Sequence, residues 1–384
     1  MGMLCLRIMD KYIYHDGKML RRGYTTGTCA AAASAAAARM LFGLPCEEIE
    51  LTVPSGDTLI LHPVDMKCDG SSALCAVIKD SGDDPDVTNG VAVYSKVELT
   101  ESGFEITGGR GVGKVTQAGL DRPVGDFAIN TVPRSMIKTA VLDVCKLAGY
   151  DKGIRVTIYV PGGEELALKT YNPRLGIVGG ISIIGTSGIV EPMSTTALLD
   201  TVRLEMNMRK AEGRHSIILT LGNYGAGYLA KELSFIGDKN VKCSNFIGDA
   251  LDIAMELGFE NVLIAGHIGK LVKLGTGIMN THSAQADGRI EVLVMCALMG
   301  GADIDTLRRL TNCVSTDAAL DILHEKGYLD AAMDVLMQRT QNYLDAKAKD
   351  RIDIGALMFS NVYGFLGQTE KAVMITEKLR EEYS

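Results

Sequence analysis

Reactive side chains and glycines are concentrated in one stretch of the sequence, residues 262–289. An apolar run, 262–265, is followed at once by Gly266-His267-Ile268-Gly269-Lys270. This pattern is typical of a buried strand that turns sharply into a helix, where glycines let the backbone bend. Free N–H groups at a helix start suit such a turn to anions and carbonyl oxygens. The stretch also contains Asn280, Thr281, His282, Ser283, Asp287 and Arg289.

Two side chains of this stretch have the types that catalysis and anion binding use. His267 could act as a general base, and Lys270 could pair with a ligand carboxylate. The structural alternatives are a loop histidine held by hydrogen bonds and a solvated lysine in a first helical turn, and they are the commoner case for single residues. His282 is open to the same two interpretations. The spacing predicts a cleft for a small molecule with carboxylates or an adenosine-like group, and it does not give the reaction.

The second half of the chain alternates strands and helices, which predicts a parallel sheet with right-handed crossovers. The expected strands are 216–221, 241–244, 262–265 and 355–360, and the expected helices are 226–233, 247–257, a long block at 290–349, and 369–382. Ligands of such sheets bind beyond the carboxyl ends of the strands, where the strand order reverses. The commonest arrangement sets the first and third strands side by side. The loops that follow them, Gly222-Asn223-Tyr224-Gly225 and residues 266–270, are both glycine-rich, so we predict a binding site there.

The first half is rich in strands without regular alternation, which indicates an α+β domain. Hairpins are expected at 49–64 and, over Pro161-Gly162-Gly163, between 154–160 and 165–170. A helix is expected at 134–147, and a glycine-rich crossing at 172–194. We predict an α+β domain at 1–190 followed by an α/β domain at 191–384, with a small parallel sheet of about four strands and a helical insertion.

A loop of hydroxyls and glycines precedes an alanine-rich helix near the start of the chain. It reads Arg21-Arg22-Gly23-Tyr24-Thr25-Thr26-Gly27-Thr28. Two glycines, three threonines and two arginines favour a polar cradle for a ligand, although the helix that follows is equally consistent with an ordinary capped core helix. Cys29 at the helix start has either a lowered pKa or, as we favour, a packing role.

Two other motifs are weaker. Residues 108–116 match G-x-x-x-x-G-K, but Val115 stands where a nucleotide loop needs Ser or Thr for magnesium, so we favour a turn whose Arg110 and Lys114 face a ligand carboxylate. Residues 80–90, with four aspartates, lack the order of a calcium loop and predict a solvated acidic turn. Dinucleotide, nucleophile-elbow and zinc-protease signatures are absent.

Composition limits the class of protein and its partners. The 384 residues, 47% hydrophobic, suit two domains, and the net charge of −8 argues against nucleic acid or an anionic membrane as a partner. Nine cysteines without metal-binding spacing predict buried thiols in a reducing cytoplasm and no protein-bound metal. Residues 1–18 lack a signal-peptide pattern, and the apolar runs are too short to span a bilayer. We therefore expect a cytoplasmic protein.

Several motifs, in this order, closely resemble the CbiD family. They are Arg-Gly-Tyr-Thr-Thr-Gly-Thr-Cys-Ala at 22–30, Asp-Asp-Pro-Asp-Val-Thr at 83–88, Gly-Ile-Val-Glu-Pro-Met at 188–193, Gly-Asn-Tyr-Gly at 222–225, and residues 266–270 continuing to Asp-Gly-Arg at 287–289. The likeness extends from about residue 20 to the C-terminus. Ser34 and Leu221 depart from the family, which often has Lys and Pro there.

The resemblance implies cobalt-precorrin-5B C(1)-methyltransferase activity in anaerobic cobalamin synthesis, with conversion to cobalt-precorrin-6A. It implies S-adenosylmethionine as methyl donor, cobalt carried by the corrinoid substrate, and a first domain like a permuted ribosomal S5 domain 2. A non-catalytic tetrapyrrole carrier on the same fold is the alternative, and a homo-oligomer is left open.

On this basis we assign three sets of residues. The candidate catalytic residue is His267. The donor-binding candidates are Gly222, Asn223, Tyr224, Gly225, Gly266, His267, Gly269 and Lys270. The substrate-binding candidates are Arg22, Tyr24, Thr25, Thr26, Thr28, Arg110, Lys114, Glu191, Asn280, His282 and Arg289, and the cations available for the substrate's carboxylates also include Arg21, Arg174 and Lys270.

Overall fold

The computed structural model describes residues 7–8 (backbone only), 11–15, 17–222 and 239–383. The chain divides into two compact units, Met1–Ser194 and Thr195–Ser384. The boundary follows Ser194, where we predicted it after residue 190. Within the described residues, none of the helices combines the length and the apolar character that crossing a membrane requires.

The core of the first unit is organised around the alanine-rich helix Thr26–Leu41. Its residues from 26 to 38 are all buried, and it packs against the helix Thr131–Ala148 and the strands Ser72–Ile78 and Ala92–Thr100. Alanine favours a helix and lets neighbouring backbones approach closely, so this helix can be covered on all sides. Its one internal hydroxyl, on Ser34, lies 2.6 Å from the carbonyl of Ala30 and 2.8 Å from Ser95 Oγ.

The first unit mixes helices with mostly antiparallel strands, as the α+β prediction requires. One sheet has the order Phe104–Gly108, Gly153–Tyr159, Ala92–Thr100, Ser72–Ile78, Val64–Cys68, and a smaller one has the order Arg7–Ile8, Asp57–Leu61, Ile49–Thr52. Short pairs join Tyr12–His15 to Lys18–Arg21, Gly23–Tyr24 to Ile189–Val190, Gly111–Val112 to Gly180–Ile181, and Lys114–Val115 to Ile177–Val178. The hairpin expected at 49–64 is present, and the two strands of the pair 72–100 are also antiparallel neighbours.

The hairpin expected over Pro161-Gly162-Gly163 is wrong. The strand Gly153–Tyr159 pairs with two other strands, and the segment after it forms the short helix Gly163–Ala167. Gly162, at φ 79°, turns the chain into that helix, and Glu164 and Glu165 occupy its first turn, where acidic side chains favour the helix dipole. The residues after Gly162 therefore favour a helix more strongly than the Pro-Gly-Gly sequence favours a hairpin turn.

The second unit contains a sheet with the order Val241–Lys242, Ser216–Thr220, Asn261–His267, Asp353–Ser360, Gly364–Gln368. The first four strands are parallel, which confirms the expected small parallel sheet, and the first and third in chain order are neighbours as predicted. The fifth strand, antiparallel to Asp353–Ser360, was missed. Two glycines in its five residues weaken the sequence signal for a strand.

Helices cover this sheet and form the insertion. The elements are Thr195–Ala211, Ile247–Glu256, Ile268–Leu271, a 3₁₀ turn Val272–Thr276, Arg289–Met299, Ile304–Leu310, Thr316–Lys326, Leu329–Ala348 and Glu370–Tyr383. The block expected at 290–349 is thus four helices, two of them capped by the side chains of Asp303 and Ser315. The helix expected at 226–233 lies outside the described residues.

The glycine-rich segment 108–113 is a crossing of backbones in the first unit. A Cβ on Gly111 would lie 1.7 Å from the carbonyl oxygen of Val160, and one on Gly163 would lie 2.2 Å from the oxygen of Gly111. The next helix begins only at Thr131, so the helix that a nucleotide loop requires is missing. These glycines hold strands together rather than cradle a phosphate.

We expect Gly111→Ala to prevent stable folding and Gly125→Ala to be tolerated. Both glycines have positive φ, 79° and 94°, but a Cβ at position 125 meets no atom within 4 Å. The left-handed conformation alone costs about 1–2 kcal/mol, whereas Gly111→Ala adds a clash with fixed backbone, for a loss above about 4 kcal/mol. Urea denaturation of both variants measures the difference, and equal losses would contradict the crowded crossing.

Candidate functional site

The predicted donor site lies at the carboxyl edge of the parallel sheet in the second unit. Strands Ser216–Thr220 and Asn261–His267 end side by side, with Thr220 opposite Ala265, and Asp353–Ser360 ends next to them, with Phe359 opposite His267. The structure therefore places His267, Gly269 and Lys270 where the strand order reverses, which is the position that favours ligand binding. Asn223, Tyr224 and Gly225 lie outside the described residues.

His267 ends the central strand and caps the short helix Ile268–Leu271. Its Nδ1 accepts a hydrogen bond of 3.0 Å from the backbone N–H of Gly269, its Nε2 lies 3.4 Å from the backbone nitrogen of Asn361, and its ring meets Phe359 edge-on at 5.9 Å. Both ring nitrogens therefore face backbone N–H groups, those of Gly269 and Asn361. Because the fold itself engages both nitrogens, the geometry favours the structural interpretation.

The glycines around His267 differ in what surrounds them. A Cβ on Gly266 would lie 3.2 Å from Leu271 Cδ1 and 3.3 Å from Leu221 Cδ1, so this glycine permits packing inside the unit. A Cβ on Gly269 would lie 3.1 Å from Nδ1 of His267, so this glycine leaves room for the cap. Around Gly222, no described atom lies within 4 Å of such a Cβ.

Two further candidates, Asn280 and His282, lie on one irregular segment, residues 280–288, which we call the 280–288 loop, and Arg289 follows it. Thr281 N–H donates to the carbonyl of Asn245 at 2.9 Å, and Asn280 pairs with Phe246, so the loop starts beside the end of the strand Val241–Lys242. His282 is exposed, and its N–H donates to Asn280 Oδ1 at 3.1 Å. The loop leads directly into the helix that begins at Arg289.

Lys273 is a residue that the sequence analysis missed. Its side chain is only 2% exposed, and its Nζ donates to the carbonyls of Thr281 at 3.0 Å and Ala286 at 2.6 Å. Burial lowers its pKa, and the nearby charges of Arg289 and Lys270 add to this effect while Asp287 opposes it. The sequence feature that could have indicated a buried lysine is its position between the apolar residues Val272 and Leu274.

In the first unit the threonines of the loop 23–28 are buried and bonded to backbone. Thr25 Oγ1 caps the helix by accepting from Thr28 N–H at 3.2 Å, and Thr28 Oγ1 donates to the carbonyl of Gly188 at 2.7 Å. Thr26 Oγ1 accepts from Ile184 N–H at 2.9 Å. These hydroxyls tie the helix start to residues 184–188, so a direct contact between them and substrate stays a prediction.

The side chains next to this loop are also engaged. Burial raises the pKa of Tyr24, whose hydroxyl donates to the carbonyl of Ile78 at 2.9 Å. Cys29 is fully buried in the core, which fits a packing role, and burial raises the pKa of its thiol to about 12. Arg22 lies between Glu191 at 2.8 Å and Asp57 at 3.5 Å, and Arg21 grips both oxygens of Asp80 at 2.5 and 2.7 Å.

The acidic segment 80–90 is more than the solvated turn we predicted. Lys79, 2% exposed, donates to Ser81 Oγ at 2.5 Å and forms an ion pair with Asp86. Burial raises the pKa of Asp86, but the hydrogen bond and charge of Lys79 outweigh it and hold the pKa below its usual range. Asp84 accepts from Met193 N–H at 3.3 Å, and burial raises its pKa. The segment therefore anchors the Gly23–Thr28 loop from one side.

Most of the predicted residues that the structure describes fall into one group in each unit. Arg22, Tyr24, Thr25, Thr26, Thr28 and Glu191 come together in the first, and Gly266, His267, Gly269, Lys270, Asn280, His282 and Arg289 lie in the second. Arg110, largely exposed, pairs with Glu164 at 3.2 Å, and Lys114 lies over the ring of Phe127 at 4.8 Å, on the strand pairs beyond the glycine crossing. Among the described residues, His, Cys, Asp and Glu form no cluster suited to a metal ion.

Comparisons with known proteins agree with the motifs. The profile of a family described as CbiD matches residues 13–192, and that of the CbiD C-terminal domain matches residues 280–370. A cobalt-precorrin-5B C(1)-methyltransferase of Alkaliphilus metalliredigens is 44% identical, covering 97% of this chain and 99% of its own. Enzymes of the same name from Ruminiclostridium cellulolyticum and a Thermoanaerobacter species are 42% and 48% identical over 92% and 83% of this chain, and 92% and 87% of their own.

A solved structure also matches. The crystal structure of the cobalamin biosynthesis protein cbiD from Archaeoglobus fulgidus is 30% identical, with a TM-score of 0.38, and the match covers 73% of this chain and 88% of that one.

We expect Lys79→Met to cost about 3–5 kcal/mol of unfolding free energy at pH 7, because it leaves the half-buried Asp86 carboxylate unpaired. Lys96→Met, which removes a pair with Glu98 on the same strand, is the control and should cost about 0–1 kcal/mol, since both partners are about a third exposed. Adding Asp86→Asn to Lys79→Met should restore part of the loss.

The same effect should depend on pH in one direction. Because the folded pKa of Asp86 is lowered, the pair stabilises the fold above the unfolded pKa, about 3.9, and this contribution is lost as pH falls through the lowered value. Denaturation curves at pH 7 and below pH 4 should therefore show the Lys79→Met deficit shrinking in acid. A deficit that is equal at both pH values would contradict the buried ion pair.

Proposed function

The chain belongs to the CbiD family, and we propose that it is a cobalt-precorrin-5B C(1)-methyltransferase. It moves a methyl group from S-adenosylmethionine to C-1 of cobalt-precorrin-5B and gives cobalt-precorrin-6A. The observation that carries this proposal is the 42–48% identity to enzymes of that name over most of the chain. We further propose that it acts in the cytoplasm, with a small-molecule corrinoid as its partner and neither nucleic acid nor membrane.

The reaction is an in-line displacement at the sulfonium methyl group by a nucleophilic ring carbon. The donor supplies the reactive bond, because its thioether is a good leaving group. What remains for the protein is to hold two bulky reactants in line and to keep water out, which is proximity and orientation rather than acid–base chemistry. The hydrogen bond from Gly269 N–H to His267 Nδ1 is consistent with a mechanism that does not use this histidine as an acid or base.

The donor binds at the carboxyl edge of the sheet in the second unit. Support comes from the strand order, which reverses between Ser216–Thr220 and Asn261–His267. Residues 222–225, Gly266, His267, Gly269 and Lys270 form this site. Gly266 acts indirectly, because a side chain there would meet Leu271 and Leu221 in the core.

The acidic arms of the macrocycle need cations that are not already neutralised. Arg289 is paired with Asp287, whose two carboxylate oxygens lie 2.5 Å from Nε and 3.0 Å from Nη2. Arg22 likewise faces both Asp57 and Glu191. Lys270 is close enough to Lys273 to help lower its pKa, and we assign Lys270, Asn280 and His282 to carboxylate arms, with Arg289 exchanging Asp287 for such an arm.

Two finer features complete the proposal. The first unit has a permuted ribosomal S5 domain 2-like fold, supported by its combination of mostly antiparallel strands with long helices. Cobalt arrives as part of the substrate, and the protein holds no metal of its own.

The function is tested with methyl-labelled S-adenosylmethionine and cobalt-precorrin-5B. We expect the label at C-1 of the product by nuclear magnetic resonance, and we expect calorimetry to detect S-adenosylhomocysteine binding. The control omits the corrinoid and should leave the donor unchanged. A protein that binds the corrinoid but has no affinity for either donor or demethylated product, with corrinoid present, is a carrier, and the enzyme proposal would then be wrong.

His267 is tested with two substitutions that separate its ring from its capping role. We expect His267→Asn, which keeps an oxygen to accept from Gly269 N–H, to retain turnover within about threefold. His267→Ala removes the cap and should lower both turnover and thermal stability. If His267 is a general base, both variants will lose turnover by about a hundredfold or more, and steady-state kinetics distinguishes the two results.

A further inference from the structure

The ammonium group of Lys273 is bonded to backbone carbonyls, and neither solvent nor a carboxylate in direct contact surrounds it. The carbonyls of Thr281 and Ala286 lie 3.0 and 2.6 Å from Nζ, while the carboxylate oxygen of Asp287 is 4.0 Å away. An ammonium group removed from water needs such acceptors, because its burial is costly without them. An apolar side chain of similar length would fill the same space at no such cost.

The two acceptors lie near the two ends of the 280–288 loop. On its other side, the loop is fixed to the segment after Val241–Lys242, through Thr281 to Asn245 and through the carbonyl of Met279 to the N–H of Gly248 at 3.1 Å. Between these attachments the loop has no regular structure, and residues 282–285 are exposed. At the far end of the loop, Asp287 pairs with Arg289 Nε at 2.5 Å, and Lys273 fixes the carbonyl of Ala286 just before it.

The position of Lys273 connects this loop to the end of the central strand. It lies on the turn Val272–Thr276, which follows His267 and the helix Ile268–Leu271 without a break. The carbonyl of Lys273 itself accepts from Ile278 N–H at 3.2 Å and from Thr276 Oγ1 at 3.1 Å, so its backbone is fixed too. Because its backbone is held in place, the two hydrogen bonds from its Nζ can fix the conformation of the loop.

We propose that Lys273 is a positioning residue, which holds the 280–288 loop so that Asn280, His282 and Arg289 face the acidic arms of the tetrapyrrole. It does not touch the substrate, and its two hydrogen bonds to the loop are the reason that a lysine occupies this buried position. The proposal rests on the proposed function for the identity of the ligand, and on the geometry alone for the rigidity of the loop.

The test compares Lys273→Met with Lys210→Met in the full-length protein. Lys210 is a matched control, because its Nζ also donates to a carbonyl, that of Gly258, at 2.8 Å. Gly258 precedes the strand Asn261–His267 and so lies at the opposite, amino edge of the sheet. We expect Lys273→Met to raise KM for cobalt-precorrin-5B by about tenfold or more with a smaller change in kcat, and Lys210→Met to leave both within about twofold.

A second variant covers the case in which Lys273→Met does not fold. Lys273→Gln keeps N–H donors without the charge, so part of the affinity should return if hydrogen bonding to the loop is what matters. A folded Lys273→Met, or failing that Lys273→Gln, with a KM within about twofold of wild type would overturn the proposal. A loss of thermal stability without a change in KM would overturn it as well.

Hydrogen exchange separates this proposal from the proposed function. In wild type and Lys210→Met the amides of 280–288 should exchange at equal rates, and in the Lys273 variants they should exchange at least about tenfold faster while the central strand stays protected. If wild type transfers no methyl group but this pattern appears, the proposed function fails and the positioning role stands. Unchanged exchange in the loop of a folded Lys273→Met variant would refute the role itself.

Discussion

A buried ammonium group needs oxygen acceptors inside the protein. In each unit a buried lysine finds them on a loop next to predicted site residues and so fixes that loop. Lys79 and Lys273 are each 2% exposed. Lys79 closes the segment 80–90 with Ser81 and Asp86, and Lys273 closes the 280–288 loop with two carbonyls. Loops of this length without secondary structure are expected to be mobile. Burying each ammonium group costs free energy, and the hydrogen bonds that it makes hold its loop in one conformation.

A second constraint, close approach of backbone to backbone, limits which residues can surround these loops. Glycine allows it where Gly23 crosses Asp80, since a Cβ there would lie 2.3 Å from the carbonyl oxygen of Asp80, and alanine allows it along the helix Thr26–Leu41. The result is that the hydroxyls of the Gly23–Thr28 loop bond to the chain itself. Packing therefore accounts for the glycines and threonines of this motif, and their contact with substrate stays a prediction.

The sequence predicted elements with strong periodicity and missed what depends on distant partners. The parallel strands were recognisable because their apolar runs are followed by turns and helices, and the order that sets 216–220 beside 261–267 followed from the commonest topology. The strand Gly364–Gln368 exists because the edge of Asp353–Ser360 is free to pair, which the local residues do not show. The roles of Lys79 and Lys273 depend on contacts that span 7 to 13 residues of irregular chain, and no local pattern encodes those.

The charges of the candidate site also depend on distant partners that the sequence does not reveal. Seven cations looked equally suitable for carboxylate arms from sequence alone, yet the fold gives them different electrostatic surroundings. Arg21 and Arg22 are neutralised by Asp80, Asp57 and Glu191, because the chain needs them to dock its first loop. Arg289 is likewise paired with Asp287, at 2.5 Å, whereas Lys270 adds positive charge near the buried Lys273. Since the protein carries a net charge of −8, a local excess of cations is what could draw a polycarboxylate to one edge of one sheet, and burial of Lys273 strengthens that field by removing the water that would screen it.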